Sequence, residues 1–312
     1  MSTDTEHLDE ANACHDAEPA RAAELLRQLD AGHLPAERRL NYAYLINHVL
    51  GEKLSAWDDA LTRQQQLIEL ALPTPQPALW RQLGVAALIV GAAEALTRAT
   101  TELVATSGAL TDRAHELLAL SAAMYLTPAQ PADDAADTAL QALATITDST
   151  WPTQTALDAQ AAACLNNIAS GLLERPAADL QHGALRAALA RSAEQAQRLW
   201  QHAGTWVQHE RAFYTRAIAC TALGEPHLAW RHAMAGLALL DAHDSAHGED
   251  VDRAFLELER WNACVWLGMA DDAADALSRA DALAAKFGDA GLTAEFEGRR
   301  RRLPGFRPYP RN

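Results

Sequence analysis

Apolar residues recur three and four positions apart over most of the chain, the period of an amphipathic helix and not of a strand. In residues 162–172, Leu165, Ile168, Ala169 and Leu172 share one helical face, and the adjacent amides Asn166 and Asn167 flank it. Asn is a modest helix former, so two in succession point to tertiary or ligand contacts that use the amides. The same frame has a large residue, an apolar or neutral one at +3, a small one at +4 and a medium one at +7. It recurs as Trp80-Leu83-Gly84-Ala87, Leu118-Ser121-Ala122-Tyr125 and Phe213-Arg216-Ala217-Cys220. Weaker copies begin at Leu40 and Glu257, so successive frames are 38 to 48 residues apart. Such spacing predicts stacked helix pairs, an all-α solenoid with these segments as first helices. The small +4 residue lets a neighbouring helix approach closely. Tyr44 and Trp261 break the rule in the terminal units, where a repeat has one neighbour instead of two.

Second helices are predicted over residues 56–71, 94–106, 132–146, 184–202, 228–240 and 272–287, with further helices over 19–30 and 293–302. Gly51, Gly91, Gly224 and Gly268 fall near the ends of first helices, where a left-handed cap belongs, and Pro226 both stops one helix and starts the next. The links at 73–77, 127–131, 148–152 and 241–250 are polar and too short to separate domains. Residues 18–303 therefore read as one repeat domain between a disordered acidic leader, 1–17, and a basic, proline-rich tail, 304–312.

Composition sharpens this picture in three ways. Hydrophobic residues make up 49% of the 312 and aromatics only 6%, which favours helix throughout. The formal charge is −15, and Lys53 and Lys286 are the only lysines, so nucleic acid is not expected on the main body. Cys14, Cys164, Cys220 and Cys264 are widely separated and form no zinc-type cluster, which reads as free thiols in a reducing cytoplasm. Residues 1–18 lack the apolar run of a secretory signal, and the longest apolar stretch, Val85 to Ala93, is too short to span a bilayer.

Trp80-Arg81-Gln82-Leu83-Gly84 and Leu165-Asn166-Asn167-Ile168-Ala169 resemble first helices of tetratricopeptide repeats, the second being similar to those of kinesin light chains. The resemblance covers roughly Leu40 to Phe287, with repeats longer than the family's ~34 residues; armadillo or HEAT repeats of about 40–47 are the rival. It implies a right-handed superhelix whose first helices line a concave groove for a protein or peptide segment. Asn166 and Asn167 then match positions that contact the ligand backbone. In the same register the groove takes Arg211, Tyr214, Thr215 and Ile218, then Glu259, Asn262 and Trp266. The family's basic clamp for a terminal carboxylate is not reproduced, Arg211 being the one good cationic candidate.

Three functional classes are weighed. The first is a non-enzymatic, cytoplasmic adaptor, chaperone or regulatory subunit that needs no cofactor. The second is a sensor enclosing a small molecule or peptide between helices near Trp206, His209 and Tyr214, in the densest aromatic and ionisable cluster. The third is a metal-dependent hydrolase using His243 to Asp250, which has two His and three further acids but reads best as a solvated turn, so no metal ligand is assigned. His209-Glu210 begins like a zinc-protease helix, but Phe213 stands where the second His belongs. Neither a phosphate-binding loop nor a Gly-x-Ser-x-Gly elbow occurs. The run Arg299 to Arg302 reads as a helix end favourable to the dipole.

Overall fold

The computed structural model describes residues 3–70, 76–146, 156–244 and 248–303, and every regular element among them is helical. The chain divides into two compact units, Met1–Ala161 and Ala162–Asn312, where one continuous repeat domain was expected. The first contains α1 (Thr3–Cys14), α2 (Pro19–Gln28) and α3 (Arg39–Leu45), which runs into a π-helix, Ile46–Lys53. It continues through α4 (Trp57–Ile68), α5 (Pro77–Val90), α6 (Ala93–Ser107), α7 (Thr111–Leu126) and α8 (Ala132–Ala144). Helix α9 (Asp158–Glu174) leads into the second, followed by α10 (Gly183–Ala203), α11 (Trp206–Leu223), α12 (Pro226–His243), α13 (Asp250–Leu267), α14 (Ala270–Ala284) and α15 (Ala290–Arg302). No helix among the described residues is long and apolar enough to cross a membrane. All four cysteines are thiols, three of them buried.

Each predicted helix is present, and within each unit the packing is that of consecutive repeats. Helix α5 packs on both α6 and α7, and α11 on both α12 and α13, so a first helix touches its own partner and the next first helix. Gly84 shows why the +4 residue is small: a Cβ there would lie 2.7 Å from Leu118 of α7 and 3.3 Å from Ala99 of α6. Gly91, Gly224 and Gly268 cap α5, α11 and α13 with φ between 72° and 80°, a region in which a Cβ is strained.

Two expectations are corrected. Gly51 is no left-handed cap; it lies inside the π-helix, where a Cβ would strike the Trp57 ring at 2.5 Å, and Ser55 takes the positive φ instead. Residues 3–14 of the expected leader form α1, which buries Leu8 and Ala11, one turn apart, against α2. Acidity predicted disorder, but the acids have partners that only folding supplies. Arg21 pairs with Glu10, Arg38 with Asp9, and Asp4 accepts from the Asp30 amide at 2.9 Å. The links at 148–152 and most of 73–77, and the tail 304–312, lie outside the described residues.

Candidate binding groove in the second unit

The apolar face of α9 is buried as its spacing requires, with Leu165, Ile168, Ala169 and Leu172 fully inaccessible. The flanking amides divide. Asn166 is half-buried, and its Oδ1 accepts from Thr215 Oγ1 at 2.8 Å, which ties α9 to α11; Asn167 is exposed. Helix α11 is tied in turn to α13. Arg211 donates to Asp252 at 2.8 Å and to Glu249 at 3.1 Å, and Thr221 donates to Glu259 at 3.1 Å. Arg299 of α15 meets the fully buried Glu259 through Nε and Nη2, both at 2.7 Å, with only Nε aligned as a hydrogen-bond donor. An uncompensated carboxylate at this depth would cost several kcal/mol, so this pair positions α15 across the first helices.

Between these ties lies a half-open cavity of about 620 Å³. Its apolar wall is built from Leu173 of α9, Tyr214, Ile218 and Ala222 of α11, and Phe255 of α13, with Leu180 from the α9–α10 connection. Hydroxyls come from Ser170 and Thr221. Its charged edge carries Glu174 and Arg175 on one side and Glu295, Arg299 and Arg302 of α15 on the other. Arg175 is paired with Asp179 at 2.9 Å. Burial, with the Glu259 charge nearby, holds the Tyr214 phenol well above its ordinary pKa, so the hydroxyl stays neutral and able to donate. The Tyr214 and Phe255 rings meet edge to face at 6.0 Å.

Of the residues predicted from sequence, Tyr214 and Ile218 line this cavity. Asn166, Thr215, Arg211 and Glu259 hold the helices that frame it, and Asn262 is buried in α13 without lining it. Trp266 is half-buried and also outside the lining. Trp206 packs on the Ala217, Ala233, Leu237, Leu240 and Leu256 core and stacks on His243 at 5.6 Å. His209 sits against Phe213 at 4.8 Å, its pKa lowered by burial and then by His202; neither residue lines the cavity. Residues 245–247 of the His243 to Asp250 loop lie outside the described residues. The acids around them are engaged: Asp244 accepts from the Gly248 and Glu249 amides, and Asp250 pairs with Lys286 at 3.4 Å.

Sequence reasoning missed Ser170, Thr221, Phe255 and the α15 arginines. Extending the helical face of Ile218 by three residues reaches Thr221, and extending that of Asn166 by four reaches Ser170, so those two were within reach of the pattern. The arginine run was legible as charge only, because its folding back onto Glu259 depends on a residue 40 positions away.

Beside the groove, Glu210 of α11 is fully buried. As an ionised carboxylate it has no donor for either oxygen; protonated, it donates to Asp252. Burial, followed by the Asp252 charge, pushes its pKa up to about 9.

No protein-family model matches the chain, and no curated protein shows significant similarity to it.

Proposed function

We propose that the second unit is a protein-interaction module, non-enzymatic and of the tetratricopeptide type, which takes a partner segment in the groove of α9, α11, α13 and α15. In this reading the unit is part of a right-handed solenoid, and the protein acts in the cytoplasm as an adaptor, chaperone or regulatory subunit. The observation that carries it is the half-open cavity with an apolar wall and charges of both signs at its edge. That combination suits a short segment with an apolar anchor and polar flanks, as at interfaces where a buried anchor carries most of the energy. The placement of Asn166 changes the contact set. Of the two amides expected to meet the ligand backbone, Asn166 accepts from Thr215 through Oδ1 and Asn167 is exposed, and in this reading the groove contacts come chiefly from Ile218 and Thr221 of α11 and Phe255 of α13.

The test is capture of partners from the native cell by wild-type protein and by Ile218→Asp, which puts a charge on the apolar wall without touching a helix tie. Partners retained by wild type and lost at least tenfold by the variant, with helicity unchanged, support the groove; equal capture refutes it. A cavity of this volume also falls within the range of small-molecule sites, about 300–1,000 Å³. In that second reading, a metabolite raises the melting temperature of the wild type and not of Ile218→Asp.

A further inference from the structure

The end of α1 and the π-helix of the first unit bring together His15, Asp16 and His48, whose ligating atoms all lie within 4.8 Å of one another. His15 Nε2 is 3.3 Å from Asp16 Oδ2, and His48 Nε2 is 3.6 Å from Asp16 Oδ1. The edge of a tetrahedron with metal–nitrogen bonds of 2.0–2.1 Å is about 3.3 Å, so each imidazole nitrogen stands near ligand spacing from one of the two Asp16 oxygens, and the widest separation in the trio, up to 4.8 Å, has to close as an ion draws the side chains inward.

The tautomers are set from behind. His15 Nδ1 meets the Asn12 carbonyl oxygen at 2.7 Å, and a carbonyl only accepts, so Nδ1 carries the proton and Nε2 presents a lone pair. His48 Nδ1 meets Glu52 Oε2 at 2.6 Å, with the same consequence for its own Nε2. That nitrogen is buried and has no hydrogen-bond partner. A carboxylate behind a histidine whose far nitrogen faces two further donor atoms is the arrangement that orients and strengthens metal-ligating imidazoles. The segment carrying His48 and Glu52 is wound as a π-helix, with Leu54 N–H donating to the Val49 carbonyl at 3.2 Å, a rare winding that is frequent at functional sites. Tyr44 stacks on the His48 ring at 5.3 Å and fixes its plane, and Asp16, 70% exposed, leaves the site open to solvent.

We propose that His15 Nε2, His48 Nε2 and the Asp16 carboxylate bind a divalent transition-metal ion, with water completing the coordination. Two imidazoles and one carboxylate form a borderline donor set that suits Zn(II) or Co(II) and not the all-oxygen preference of Ca(II) or Mg(II). Lys53 Nζ lies 3.1 Å from Asp16 Oδ1 and competes with the ion for that oxygen. Binding displaces this ammonium and cross-links α1 to the π-helix.

Co(II) titration of the full-length protein, followed by visible d–d absorption and then by Zn(II) displacement, tests the site. Wild type gives a stoichiometric band that Zn(II) abolishes. H15A/D16N, two changes at the solvent-facing end of α1, loses it, and E52A binds about 10- to 100-fold more weakly because the imidazole behind the metal is no longer oriented. K53A binds more tightly than wild type. A purely structural ion-pair latch predicts otherwise: no band, or a band unchanged in H15A/D16N and so owed to other histidines, or no tightening in K53A. Any of these overturns the assignment. Circular dichroism verifies folding, and K53A and E52A keep the test decisive if H15A/D16N does not fold.

Discussion

At the scale of single residues, the two asparagines of α9 look alike in sequence and differ in the folded chain. Asn166→Ala leaves the Thr215 hydroxyl without its side-chain acceptor and removes the α9–α11 tie, so it is expected to cost about 0.5–1.5 kcal/mol in urea denaturation. An unchanged unfolding midpoint would contradict this tie. Glu210 predicts a pH dependence whose sign follows from its folded pKa of about 9, far above the usual carboxylate range. The folded state holds a proton there that the unfolded state has lost above about pH 4.3. Its contribution is complete below that pH and disappears as pH rises through 9. Glu210→Gln keeps the shape and a donor without the titration. The variant should therefore lose less stability than wild type between pH 5 and 9 and melt higher at the alkaline end. Parallel pH profiles would show that the Glu210–Asp252 pair is not protonated.

At the scale of elements, the apolar period located first and second helices correctly, since a helix that buries a stripe shows the stripe in its sequence. Three glycine caps were legible for a similar local reason, because a left-handed residue at a helix end is strongly biased to glycine. Gly51 failed the same reasoning: its smallness answers the Trp57 ring, a tertiary demand that no local pattern distinguishes from a cap. Helix α1 failed too, because its weak apolar stripe, Leu8 and Ala11, suffices only once α2 covers it and arginines neutralise its acids. Gly84 carries the close approach of α5 to both neighbours. Gly84→Val is expected to overpack Leu118 and Ala99 and destabilise the protein by about 1–3 kcal/mol, read from the midpoint of chemical unfolding. An unchanged midpoint would remove the close-packing explanation for the +4 position.

At the scale of the whole molecule, what the chain determines locally was open to reading in its sequence. An all-helical architecture follows from the 3.6-residue apolar period, and the small +4 residues announce that helices approach closely. The charge of −15 also belongs to the sequence, whatever the arrangement of helices. The division into two compact units was not legible, because compactness depends on contacts between distant residues, whereas the polar links along the chain differ little from one another. The candidate sites were half legible. Tyr214 and Ile218 lie on the predicted face, but the wall opposite them comes from α15, which Glu259 draws in through Arg299. His15 and Asp16 carried no periodic signal, and what makes them chemistry is His48, more than 30 positions away on a π-wound turn. Periodicity encodes which face of a helix is buried. Which other face it meets, and so which side chains converge, is set by long-range packing that only the tertiary structure decides.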